Sequence, residues 1–239
     1  MLLRRSLAEF IGTALLLAAI VGSGIMAQRL SPTDTGLELL ENAAATACAL
    51  VAIILAVGPV SGAHLNPVIT LVDRFFGGLT TRLAIFYIAA QLLGAAVGSV
   101  VANLMFSLPA LDLSTKARAG GGLWLAEVVA TFGLVLVVFG VVRSGRASVA
   151  PFAVGAYIGA AYFFTASTSF ANPAVTIARM LSNTFAGISP TSAPAFVLAQ
   201  AVGGALGLLA VKTLFPKISE VAGRVVVPRQ DEAGDPRSQ

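Results

Sequence analysis

Apolar residues run in long blocks along this chain, and charged residues only punctuate them. Charge-free runs cover 10–28, 42–72, 83–111, 147–178 and 180–211. A helix needs about 20 apolar residues to cross the hydrocarbon of a bilayer, so these runs predict five membrane spans. A sixth is predicted over 122–142, interrupted only by Glu127, whose charge inside a bilayer requires a partner or a polar cavity. An even number of spans leaves both termini on one side. The first run is longer than the apolar core of a signal peptide and is not followed by a small-residue cleavage site and a polar domain, so it reads as a span.

Three runs are longer than one crossing requires. Residues 42–72 as a single helix would reach about 46 Å, against roughly 30 Å of hydrocarbon. In two of the long runs the surplus contains an Asn-Pro pair, Asn66-Pro67 in SGAHLNPVIT and Asn172-Pro173 in TSFANPAVT. Asn is favoured as a helix cap and Pro at the first helical position. Each pair therefore predicts a short half-helix that starts within an apolar region.

The two halves repeat each other. Ala8-Glu9-Phe10 matches Ala126-Glu127-Val128, Asn66-Pro67-Val68-Ile69-Thr70 matches Asn172-Pro173-Ala174-Val175-Thr176, and Gln91 with Gly94 and Gly98 matches Gln200 with Gly203 and Gly207, at offsets of 118, 106 and 109. Three spans per half is an odd number, so the second half enters the membrane inverted. Such repeats place their shared site near the midplane, where broken helices meet. The predicted organisation is a channel domain over 1–216, with repeats over about 6–106 and 122–215, and a tail over 217–239.

Composition narrows the class further. Only 11% of residues are charged and 57% are hydrophobic, where a soluble domain carries about 25% charge. The pI near 9.7 does not imply nucleic acid, because the basic residues form no patch or run. One Cys, Cys48, excludes an intrachain disulfide, and with a single His no zinc-ligand set exists. Eleven Lys and Arg fall on the side of the termini and four, Arg29, Lys116, Arg118 and Arg179, on the other. Basic residues are retained in the cytoplasm, which places both termini inside. The tail mixes charge signs with Pro and Gly and reads as a solvated end.

With these features the sequence resembles the major intrinsic protein family, the aquaporins and aquaglyceroporins, across about residues 6–216. The resemblance rests on the paired Asn-Pro motifs, the Glu heading each half, SGAHLNP before the first half-helix, and the plan of six spans with two half-helices. It implies an all-α membrane protein in a cell membrane, with a bacterial inner membrane expected, and a homotetramer with a pore in every protomer. It also implies passive diffusion with no enzymatic chemistry, cofactor or metal.

The pore motif would be Asn66, Pro67 and Val68 with Asn172, Pro173 and Ala174. Half-helices starting at the midplane direct their positive dipole ends at each other, and the Asn amides offer N–H donors to a passing oxygen. Val68, where Ala is usual, adds bulk and is expected to tune the waist. The family has Glu9 and Glu127 accept hydrogen bonds from the half-helix loops; the alternative is a proton relay. His64 is read as a loop residue bonded near the first half-helix rather than a protonation gate, and Cys48 as a buried, inert thiol.

Counting from the Asn residues as the family does sets the selectivity filter at Thr46, Ala160, Ser169 and Val175. No Arg and no aromatic stands there, which predicts a wide, arginine-free filter resembling the divergent bacterial branch associated with metalloids. Arg179, seven residues after Asn172, either lines the vestibule or caps the half-helix. The expected solutes are small and uncharged: glycerol-like polyols, neutral metalloid hydroxides such as arsenite, and water. A water-selective aquaporin is the alternative within the family, and an inverted-repeat secondary transporter is the alternative outside it.

Overall fold

The computed structural model describes residues 1–143 and 145–216; the predicted tail over 217–239 lies outside the described residues. Among the described residues eight α-helices follow in order: α1 Leu2–Leu30, α2 Thr35–Ser61, α3 Pro67–Phe76, α4 Thr81–Met105, α5 Gly121–Arg143, α6 Ala150–Phe164, α7 Pro173–Ala178 and α8 Ala193–Leu214. Six are long and apolar enough to cross a membrane, and α3 and α7 are the half-helices.

The long runs break where the local chemistry requires it. Helix α2 ends on Gly62, at φ 88°, and α3 then starts on the Asn66 cap, whose side chain accepts from the Val68 amide at 2.9 Å. Asn172 caps α7 likewise, accepting from Ala174 at 3.0 Å. Helix α4 stops at Met105 although the charge-free run continues to Leu111. Ser107 at φ 60° and Pro109 end the helical path there, so the surplus becomes a loop.

The repeat is visible in the packing. A Cβ on Gly94 would stand 2.3 Å from the Phe10 carbonyl oxygen, and one on Gly203 would stand 2.4 Å from that of Val128. Only glycine lets these backbones approach so closely, which joins α1 to α4 and, equivalently, α5 to α8.

Polarity is arranged inside out. Leu3, Leu7, Leu15, Leu198 and Leu209 are all more than half exposed, while Glu9, Gln91, Glu127 and Gln200 are fully buried. Hydrocarbon rewards that distribution and water would not. Cys48 corrects one expectation, since it is exposed rather than buried. Two residues from buried Thr46, it sits about 200° around the helix, on the apolar outer surface.

Candidate functional site: a pore between two half-helices

The loops before α3 and α7 carry matched strain. Ala63 and Leu65 have φ of 48° and 51°, and Ser169 and Ala171 have 49° and 47°. Non-glycine residues in this region cost about 1–3 kcal/mol each and need support. One buried carboxylate per half provides it. Glu9 accepts from the His64 and Leu65 amides at 3.0 and 2.7 Å and from the Ser61 hydroxyl at 2.6 Å. Glu127 accepts from the Phe170 and Ala171 amides, both at 2.9 Å.

Two glutamines, singled out in the sequence only as members of the repeat, complete the supports. Gln91 donates to Glu9 at 2.7 Å and to the Thr70 hydroxyl at 2.9 Å. Gln200 donates to Glu127 at 2.6 Å and to the Thr176 hydroxyl at 2.8 Å. Both threonines in turn donate to the carbonyl of their half-helix Asn, at 3.0 and 2.9 Å. Each carboxylate is thus tied through one amide to the first turn of a half-helix.

At the midplane the halves interlock. The Asn66 amide donates to the Ala171 carbonyl at 2.8 Å, and the Asn172 amide donates to the Leu65 carbonyl at 2.7 Å. A primary amide has two N–H groups, so each Asn caps its helix, crosses to the opposite loop and retains one donor. Both Asn residues line a cavity of about 60 Å³.

The wall of that cavity includes three of the four counted filter positions. Thr46, Ser169 and Val175 line it, but Ala160 does not. Ala160 is exposed on the outer face of α6, and Ile158 and Tyr162 face the cavity instead. The Tyr162 hydroxyl donates to Thr46 Oγ1 at 3.2 Å, so an aromatic does stand in the cavity wall. Nor is the wall free of arginine. Arg179 lies in it, buried, with its guanidinium 3.5 Å from the centroid of the Phe170 ring and Nε donating to the Ala186 carbonyl. One turn of helix beyond Val175, its side chain is long enough to return to the lumen.

Val68 is corrected too. It is absent from the cavity wall; its side chain packs where a Cβ on Gly204 of α8 would come within 2.5 Å. The extra methyls of valine are accommodated by a glycine behind the half-helix. Pro67, Pro173 and Ala174 form the first turns behind the two Asn caps.

His64 lines the opposite end of the cavity. Its Nδ1 is 3.2 Å from the Thr70 hydroxyl, its Nε2 is 3.4 Å from Asp73 Oδ2, and its ring meets Tyr87 edge-on. Asp73 and Arg179 each stand seven residues after their Asn. The inverted repeat therefore carries opposite charges at equivalent positions, one toward each mouth. Among the described residues no group of His, Cys, Asp and Glu could hold a metal ion.

Comparison with known proteins agrees with this architecture. The major intrinsic protein family profile matches residues 1–171. The chain is 50% identical over 213 residues to aquaglyceroporin AqpS of Rhizobium meliloti (strain 1021), covering 89% of this chain and 91% of that protein. It is 36% identical over 168 residues to a probable TIP-type aquaporin of Medicago truncatula, covering 66% of each. The X-ray structure of the aquaglyceroporin from Plasmodium falciparum superposes with a TM-score of 0.68 at 20% identity, over 92% of this chain and 100% of that one. With six spans, two Asn-capped half-helices meeting at the midplane and a profile match over most of its length, the chain belongs to the major intrinsic protein family.

Proposed function

We propose that this protein is a passive channel for small uncharged solutes: glycerol-like polyols, neutral metalloid hydroxides such as arsenite, and water. The observation that carries the reading is the pair of midplane asparagines, each fixed by a cap and a cross-loop bond and each with one amide N–H left over. Donors and half-helix dipoles at the waist hand a hydroxyl along while opposing cations and interrupting a proton wire. The cavity wall suits an amphipathic solute, because Leu50, Leu134 and Ile158 offer an apolar side to carbon and Thr46, Tyr162 and Arg179 offer polar groups to oxygen. Such passage involves no covalent chemistry.

The proposed filter is Thr46, Tyr162, Ser169, Val175 and Arg179. Glu9, Glu127 and His64 support the loops. The excess of Lys and Arg on the side of the termini supports a cytoplasmic location for both, in a bacterial inner membrane. Family membership supports a homotetramer with one pore per protomer.

The test is glycerol and arsenite uptake into proteoliposomes under a solute gradient alone. Faster equilibration than in empty vesicles, unchanged when proton and sodium gradients are collapsed, is expected. Loss of uptake on collapsing those gradients would favour a coupled transporter.

A further inference from the structure

Three cationic side chains converge at the Arg179 end of the pore. Lys116 and Arg118 come from the loop between α4 and α5, and Arg179 follows α7. The guanidiniums of Arg118 and Arg179 lie 5.0 and 3.5 Å from the centroid of the same Phe170 ring. Their hydrogen bonding differs. Arg118 donates from Nε to the Gly187 carbonyl at 2.9 Å, and from Nη1 and Nη2 to the carbonyls of Ser167 and Phe185 at 3.5 and 3.4 Å. Lys116 donates to the Phe185 carbonyl at 2.8 Å. Arg179 engages only Nε, with Ala186, and is 2% exposed in the cavity wall.

Among the described residues no carboxylate lies within salt-bridge distance of Arg179. Glu127 is occupied by two loop amides and Gln200. In the same wall the Ser169 hydroxyl is buried without a hydrogen-bond partner.

We infer that this end of the pore is a binding site for a small monovalent oxyanion of the carboxylate type, held by the free fork of Arg179 and the hydroxyl of Ser169 within the field of Arg118 and Lys116. Glu127 acts on Arg179 only through space, so this buried guanidinium has no carboxylate in contact, which is unfavourable, and a carboxylate matches its fork with two parallel bonds. A polyol also accepts these donors but leaves the charge unbalanced. A cavity of about 60 Å³ has room for only a few water molecules. A bound formate-sized anion therefore competes with solute for the same space.

The inference deepens the channel reading and rests on it for the competition. The experiment is glycerol flux into proteoliposomes at pH 7, with sodium formate or sodium chloride equal on both sides at matched ionic strength. The rate in formate is taken relative to each protein's own rate in chloride. For the unaltered chain that ratio is expected to fall several-fold with rising formate. Arg179→Gln should return it to one, and Arg179→Lys, which keeps the charge and loses the fork, should fall between.

Partial desolvation of an otherwise exposed side chain, then the neighbouring Arg118 and Arg179, push Lys116 down to about 8, opposed by Glu38 of α2. Inhibition should therefore weaken between pH 7 and 9 as Lys116 loses its charge, and Lys116→Gln should remove that step. Equal rates in formate and chloride for the unaltered chain would overturn the inference, as would an unchanged ratio in Arg179→Gln. Should the Arg179 variants fail to fold, the unfolding midpoint of the unaltered tetramer decides: formate should raise it above chloride, and no rise overturns the site. Absence of glycerol flux in chloride would instead count against the channel reading, while the midpoint still reports on the anion site.

Discussion

Tyr162 and Ala160 stand two residues apart on α6 and face opposite ways, one hydroxyl bonded to Thr46 and one methyl on the outer surface. Truncating Tyr162 to Ala should widen the constriction and raise glycerol permeability relative to water. Ala160→Leu should leave both permeabilities unchanged within error. Stopped-flow shrinkage and reswelling of vesicles separates the two, and equal effects would remove Tyr162 from the filter. Val175 lines the cavity one turn before Arg179. Val175→Arg would set a like charge four residues from Arg179 on one helix face and fill the lumen. The glycerol-to-water permeability ratio of the folded protein should drop, and an unchanged ratio would show that Val175 does not face the narrow point.

At the scale of elements, the half-helices are held from behind as well as from their tips. Val68 of α3 occupies the space opposite Gly204 of α8. Gly204→Ala should destabilise the fold by about 1–3 kcal/mol through overpacking. Adding Val68→Ala should recover most of it, a coupling that thermal unfolding of the single and double variants measures. At the tips, His64 and Leu65 donate to different oxygens of Glu9, so Glu9→Gln preserves an acceptor for one of the two loop amides, whereas Glu9→Leu strands both buried donors. Folded yield should therefore fall much further for Leu than for Gln. If Gln instead abolished flux at normal yield, Glu9 would act on the solute and not on the scaffold.

For the whole molecule, polarity is turned inside out and symmetry is broken by charge. Buried glutamates and glutamines tie two strained loops together, leucines face outward, and Asp73 and Arg179 mark opposite ends. The excess of basic residues beside the termini predicts which end faces the cytoplasm. In a Cys48→Ser background, Ala117→Cys in the loop between α4 and α5 should react with a membrane-impermeant maleimide on intact cells. Ser148→Cys, between α5 and α6, should react only after permeabilisation. The reverse pattern would invert the assigned orientation.

The six spans, the two half-helices and the inverted repeat were legible in the sequence, because each rests on a local or periodic signal. Charge-free length reports hydrocarbon thickness, Asn-Pro reports a capped helix start, and a constant offset reports a repeat. The same signals led to the family. The cavity wall was legible only in part. Thr46, Ser169 and Val175 line the cavity, but Ala160 was reached by counting back across residues 165–172, where Thr168, Ser169 and Ala171 adopt left-handed backbone angles. Such a segment carries no fixed rotation per residue, so a count through it preserves distance along the chain and loses direction. Which of its two readings Arg179 takes, and where Val68 points, were not legible for a related reason. How far a long side chain folds back, or whether a glycine on another helix receives a valine, depends on neighbours distant in sequence. The chain by itself determined where helices begin and cross the membrane, and only the tertiary structure decided which side chains reach the lumen.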